Sequence, residues 1–367
     1  MKNPGDLALD CVRTLAPYVP GKPIEELQRE LGLEDIIKLA SNENPFGASP
    51  GALAAMQRAV ADTWLYPDGS GHVLKQKLAA KLGVDSTQIT LGNGSNDLLV
   101  MLAEAFLGPG LEAVYSQYAF AVYPIAVQAT GAKGVVTPAL APDSPMPLGH
   151  DLNAMARAIT PRTRVVFIAN PNNPTGTWVP AADLHAFIAA TPAHVLIALD
   201  EAYFEYTEGL GLQDGINWLR EFPNLVVFRT FSKAYGLAGV RVGYAVSHPS
   251  VAGMLNRVRQ AFNVSVIGLA GASAALDDTH HLASAVKVAV TERARVTVRL
   301  EKAGTRVLPS AGNFLMVHVG EAQKRFEALL RRGIIVRPVG NYGLPEHLRV
   351  TLGTVDQNDR FLKAWEA

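Results

Sequence analysis

The chain is 367 residues long, 49% hydrophobic and formally neutral, with 33 lysines and arginines against 33 aspartates and glutamates. This composition fits a folded globule and excludes a disordered chain, and neutrality removes any global electrostatic case for nucleic acid or a membrane surface as partner. The single cysteine, Cys11, excludes an internal disulfide and any CxxC pair, so a reducing compartment and no metal centre are expected.

The opening residues, MKNPGDLALDCV, lack the apolar run of a secretory signal. No later stretch approaches the roughly 18–20 apolar residues of a membrane helix, so a soluble cytoplasmic protein is expected. Residues 1–45 are rich in proline and glycine and read as an arm with one short helix at 23–31. From 46 to 265, short β-rich runs alternate with helical patterns. The runs 88–92, 112–116, 164–170, 194–200 and 224–230 read as strands, several of them apolar on both faces, as in a parallel sheet covered by helices. Helical spacing at 95–107, 118–129 and 181–190 completes the rhythm of an α/β sandwich. After that the pattern changes. A long helix at 281–303, a shorter one at 323–332, and strand-like runs at 313–319, 333–339 and 348–353 read as a smaller α+β domain over 266–367. There is no internal repeat and no low-complexity segment.

The residues with chemical potential cluster at strand ends, where open α/β sheets place their ligands. The segment RTFSKAYGLAGVRVGY puts Ser232 and Lys233 just beyond an apolar strand, with Arg241 following. Most lysines are solvated surface residues. One held between a buried strand and a glycine-rich turn can instead keep its amine unprotonated for attack on a carbonyl. HVLIALDEAY ends a strand in Asp200, either a helix cap or a carboxylate that keeps a pyridine nitrogen protonated. Tyr203 follows three residues later, placed to donate to a ring oxygen. Asn170, in NPNNPTG, is either part of a turn or support for the same oxygen. QITLGNGSNDLL is a strand, a glycine turn and a helix start, so the backbone near Gly94, Ser95 and Asn96 can cradle a phosphate. Asp97 stands where a dinucleotide fingerprint needs its third glycine, which weakens a Rossmann reading. Together these strand ends furnish a lysine, a carboxylate, an amide and an anion cradle.

The motifs KLASNENPFG, YPDG, GNGSNDLL, NPNNPTG, DEAYFEY, TFSKAYGLAGVRVGY, SAGNFLMV and YGLPEHLRVTLGT run nearly end to end. On them the chain resembles the fold-type-I pyridoxal-phosphate transferases of the class II aminotransferase family, and within these the histidinol-phosphate aminotransferase branch. The resemblance implies an α/β fold, a large domain with a mainly parallel seven-stranded sheet between helices and a smaller α+β domain. It implies pyridoxal 5'-phosphate carried on Lys233, which then shuttles a proton, with Asp200 on the ring nitrogen and Tyr203 and Asn170 on the phenolic oxygen. Tyr118 would stack on the ring. Ser232, Arg241, Gly94, Ser95 and Asn96 would bind the phosphate, and Tyr66 would reach the phosphate of a neighbouring subunit, which implies a homodimer. The family usually carries Asp-Glu where this chain has Asn96-Asp97.

Arg349, a surface residue on base rates, would by resemblance grip a substrate carboxylate with its planar fork. Arg337, Tyr18, Asn42 and Asn313 would complete a pocket for either a carboxylate or a phosphate ester. The implied substrates are histidinol phosphate and 2-oxoglutarate, or glutamate in reverse, in histidine biosynthesis. An aromatic-amino-acid aminotransferase and a phosphothreonine-type decarboxylase share most of these motifs. A non-catalytic module on this fold would lack the lysine or the aspartate, and both are present.

Overall fold

A computed structural model describes residues 3–367. Thirteen strands form three sheets among the described residues. β1 (Ile37–Lys38) pairs in parallel with β11 (Ile334–Ile335). The large sheet holds β2 (Ile89–Gly92), β3 (Glu112–Ser116), β4 (Lys133–Thr137), β5 (Thr163–Ala169), β6 (Leu196–Asp200), β7 (Leu225–Thr230) and β8 (Gly243–Ser247). Its order is β2-β8-β7-β6-β5-β3-β4, and only β8 runs antiparallel to its neighbours. The third sheet is antiparallel, in the order β12 (Arg337–Pro338), β13 (His347–Thr351), β10 (Phe314–His318) and β9 (Arg306–Val307).

The central strands are apolar on both faces because both faces are covered. In β5, Val166 and Ile168 join one core with Phe187, Ile188 and Met155. Val165 and Phe167 join the opposite core, with Leu98, Leu102 and Tyr123. A third core lies between the small sheet and the helices Thr279–Lys302 and Val355–Glu366, built from Val296, Leu300, Leu315, Val350, Phe361 and Trp365.

Three differences from the sequence reading have physical causes. β4 and β8 escape notice because Lys133–Thr137 is a half-exposed edge strand and Gly243–Ser247 opens on a glycine. The run 333–339 divides between two sheets because the chain changes partner at Val336, Ile334–Ile335 pairing in parallel with β1 and Arg337–Pro338 antiparallel with β13. The helix expected from 118 begins only at Val122, because residues 117–121 form a turn in which Ala119 N–H donates to the Ser116 carbonyl. No described helix is long and apolar enough to cross a membrane.

Candidate active site

The carboxyl ends of β2, β5, β6 and β7 lie on one edge of the sheet, and the start of antiparallel β8 lies among them, with Gly243 paired to both Gly92 and Thr230. Four loops therefore converge on one pocket, the one between β7 and β8 serving both strands, and its walls include Ser95, Asn96, Asp200, Tyr203, Ser232, Lys233 and Arg241. Arg349, Arg337, Asn42 and Tyr18 close it from the side of the small sheet and the arm.

Lys233 sits in the turn after β7, and its Nζ donates to the Ser41 carbonyl at 2.9 Å. No carboxylate pairs with it among the described residues. Burial, reinforced by the guanidinium groups of Arg349 and Arg241, pushes its amine down to about 7. Asp200 is 5% exposed and makes no ion pair among the described residues. Its Oδ2 accepts from the Tyr123 hydroxyl at 2.9 Å and its Oδ1 from the Ala202 N–H at 3.2 Å. Burial raises its carboxyl to about 6 against those hydrogen bonds.

The turn between β2 and the helix Ser95–Phe106 is an anion cradle by construction. Gly94 caps that helix at φ +84°, and a Cβ there would stand 2.2 Å from the Arg241 guanidinium. The helix N-terminus, Arg241 and Ser232, which accepts from Arg241 at 3.2 Å, thus crowd one point. Asp97 turns away from it, accepting from the Asn93 N–H and from Asn263.

Arg349 lies on β13, 7% exposed, with no acidic partner among the described residues. It donates to the Asn173 side chain and to the Ala40 carbonyl, and its Nε has no partner. Burial lowers its affinity for a proton. Arg337 stands on the neighbouring strand opposite Arg349 and donates to the Val19 carbonyl of the arm at 2.6 Å. Two arginines without acids make a strongly anion-seeking wall.

Three expected residues, Asn170, Tyr118 and Asn313, are placed differently. Asn170 does not face the pocket, because its amide bridges Val179, donating to that carbonyl at 3.2 Å and accepting from its N–H at 2.9 Å. Asn173, three residues on, lines the pocket in its place. Tyr118 lies in an adjoining cleft with Leu344 and His347, since the turn at 117–121 swings Phe120 rather than Tyr118 onto the pocket. Asn313 sits behind the wall and donates to the Asn42 carbonyl at 3.1 Å. Tyr66 is 82% exposed, stacked on Phe262 and outside the pocket of its own chain. Asn42, at φ +56°, donates to the Tyr203 hydroxyl at 2.9 Å, and burial holds that hydroxyl protonated up to about 12. Asn173 was legible as the amide of NPTG, and Phe120 as the aromatic nearest the helix start. Tyr123 carried no local signal.

The model of aminotransferases of class I and II matches residues 34–364. The chain belongs to that family. It is 55% identical to histidinol-phosphate aminotransferase 2 of Pseudomonas fluorescens over 361 residues, covering 98% of this chain and 96% of that one. The same identity holds over 359 residues to histidinol-phosphate aminotransferase 2 of Methylococcus capsulatus, covering 98% and 97%. The crystal structure of histidinol-phosphate aminotransferase from Sinorhizobium meliloti in complex with pyridoxal-5'-phosphate superposes with a TM-score of 0.89 at 32% identity, over 98% of this chain and 96% of that one. As an aminotransferase, the chain places its lysine, its carboxylate and its anion cradle on one sheet edge, each within reach of a single flat, charged group.

Proposed function

We propose that this aminotransferase exchanges an amino group between L-histidinol phosphate and 2-oxoglutarate, giving imidazole-acetol phosphate and L-glutamate, with pyridoxal 5'-phosphate as cofactor. The observation that carries the reading is a buried arginine without an acid, Arg349, sharing a pocket with a desolvated lysine. The likeness to histidinol-phosphate aminotransferases over 98% of the chain supports the choice of donor and its place in histidine biosynthesis.

The residues present fit the cofactor. Asp200 is a buried carboxylate lacking a cation, which a protonated ring nitrogen would supply. Gly94 lets the Arg241 guanidinium close in on the helix N-terminus, where any Cβ would collide with it, so a phosphate there would meet a guanidinium and free helix N–H groups together. When bound, pyridoxal phosphate supplies a carbonyl for the amine and a ring that withdraws electrons from the substrate Cα. Lys233 would provide the anchoring amine, and its Nζ would take the proton from the substrate Cα and pass it to the carbon that carried the cofactor's carbonyl. Asp200 would hold the proton on the ring nitrogen, and Tyr203, with Asn173 beside it, would donate to the ring oxygen. Phe120 would pack against the ring. Ser232, Arg241 and the N–H groups of Ser95 and Asn96 would hold the phosphate. Arg349 and Arg337, with Tyr18, hold the carboxylate of one substrate and the phosphate ester of the other. Asn42 orients the Tyr203 hydroxyl, and Asn313 fixes the backbone of Asn42.

A homodimer in the cytoplasm completes the reading. The single cysteine suits a reducing compartment, and the exposed Tyr66 is free to enter a neighbouring subunit's pocket. Mixing Lys233→Ala subunits with Tyr66→Phe subunits should then restore part of the activity that each homodimer lacks; no recovery in the mixed sample would count against shared sites.

Two further outcomes follow. In the cofactor-free protein the Lys233 amine loses its proton near pH 7 rather than near its ordinary 10.5. The unfolded chain binds the extra proton between those values, so stability of the empty protein rises with pH across that window. The rate of cofactor capture, followed by visible absorbance, should rise through a midpoint near pH 7. Gly94→Ala, which drives a methyl into the Arg241 guanidinium, should weaken cofactor binding by roughly tenfold or more, the loss of about one charge-assisted hydrogen bond, as read by spectrophotometric titration.

The donor is tested by supplying histidinol phosphate, phenylalanine, tyrosine or O-phosphothreonine with 2-oxoglutarate. Glutamate should form fastest with histidinol phosphate. Faster turnover of an aromatic amino acid would overturn the donor, and carbon dioxide without glutamate would overturn the reaction.

A further inference from the structure

Among the described residues the Asp200 carboxylate is held by one side chain only, and that side chain lies outside the pocket. Tyr123 sits in the first turn of the helix Val122–Ala129 and is fully buried. Its ring is stacked on Phe167 at 4.8 Å and 16°, with Phe120 edge-on at 5.9 Å. These contacts fix the phenol in one rotamer, with its hydroxyl 2.9 Å from Asp200 Oδ2. The backbone N–H of Ala202 occupies Oδ1 at 3.2 Å. The remaining lone pairs of the carboxylate are those that face the pocket Asp200 lines.

The geometry points to Tyr123 as a positioning residue that keeps Asp200 ionised and aimed at the cofactor's ring nitrogen. The inference rests on the reading of Asp200 as the partner of that nitrogen. Tyr123 stays a neutral donor, since burial and the neighbouring carboxylate push its hydroxyl far above its ordinary value. A neutral donor stabilises the anion without neutralising it, which a lysine or arginine in the same place would do. The other groups facing Asp200 are the Tyr203 hydroxyl, from the turn after β6, and Lys233, from the turn after β7, while Tyr123 itself also feels Tyr342. Lys233 is neutral above about pH 7. In that range Tyr123 and the Ala202 N–H are what keep the carboxylate charged before the cofactor arrives.

The test compares the full-length enzyme with Tyr123→Phe, which keeps the ring and its stacking and removes one oxygen. Each is titrated with pyridoxal phosphate and with an analogue carrying carbon in place of the ring nitrogen. The unaltered protein should prefer the natural cofactor. Tyr123→Phe should weaken pyridoxal phosphate about tenfold, the worth of a hydrogen bond to a charged group, and leave the analogue unchanged. The loss of pyridoxal-phosphate affinity on acidification should begin about one pH unit higher in the variant, because a carboxylate that loses a donor binds its proton more tightly. Equal weakening of both compounds would reduce Tyr123 to packing and overturn the inference, as would full retention of the preference. If the unaltered protein fails to distinguish the two compounds, the reading of Asp200 falls first and takes this inference with it.

Discussion

Replacing Lys233 with alanine is expected to lower turnover by at least about 10⁴-fold, because one change removes both the anchoring nucleophile and the base at Cα. The measurements are single-turnover kinetics and the visible band of the bound cofactor, which the variant should not develop in its normal position. Added methylamine should restore a small part of the rate by supplying a free base. The protein itself should tolerate the change. The Lys233 amine is desolvated and flanked by Arg349 and Arg241, so below pH 7 its protonated form opposes folding, and alanine relieves that cost. The variant's melting temperature should exceed that of the parent most clearly at low pH, with the margin shrinking as pH rises from about 7 toward 10. An alanine variant with near-normal turnover would end the assignment.

Arg349→Leu carries the second large effect. A fork that grips an anion in a buried site contributes about 2–4 kcal/mol, and its removal raises KM for 2-oxoglutarate and for histidinol phosphate by about 30-fold to several hundred-fold. Both half-reactions should suffer together, since one guanidinium serves both anions in turn. Here too stability and function should part. Arg349 is a buried cation with an unpartnered Nε and no acid beside it among the described residues, so the empty protein should melt no lower once leucine fills the space. Loss of affinity for only one of the two substrates would place the other on Arg337.

The fold was legible where the two-sided strands declared themselves. β5 and β7 are rich in β-branched residues, β6 is apolar up to its closing aspartate, and the chemistry lies at their ends, so Asp200, Ser232 and Lys233 could be placed without coordinates. β8 was not legible, because its opening glycine carries no strand signal and one of its two partners, β2, lies far away in sequence. Yet that strand brings Arg241 to the cradle. The misplaced residues all lie in turns. Asn170 and Asn173 are chemically identical candidates, and in the structure the closure of Asn170 on Val179 separates them. Tyr118 and Phe120 differ by a rotation of the turn before the helix. Tyr123 lies beyond any local signal, since its partner Asp200 is 77 residues away.

The short segment after β1 has a mechanical consequence. β1 is tied into the C-terminal layer through β11, and the residues that follow it lend their carbonyls in succession, Ala40 to Arg349 and Ser41 to Lys233. The resting lysine is therefore tethered to the same few residues that carry the arginine. Any shift of the C-terminal layer against the large sheet must drag that tether along. Release of the lysine for chemistry and seating of the substrate's anion are thereby two ends of one lever.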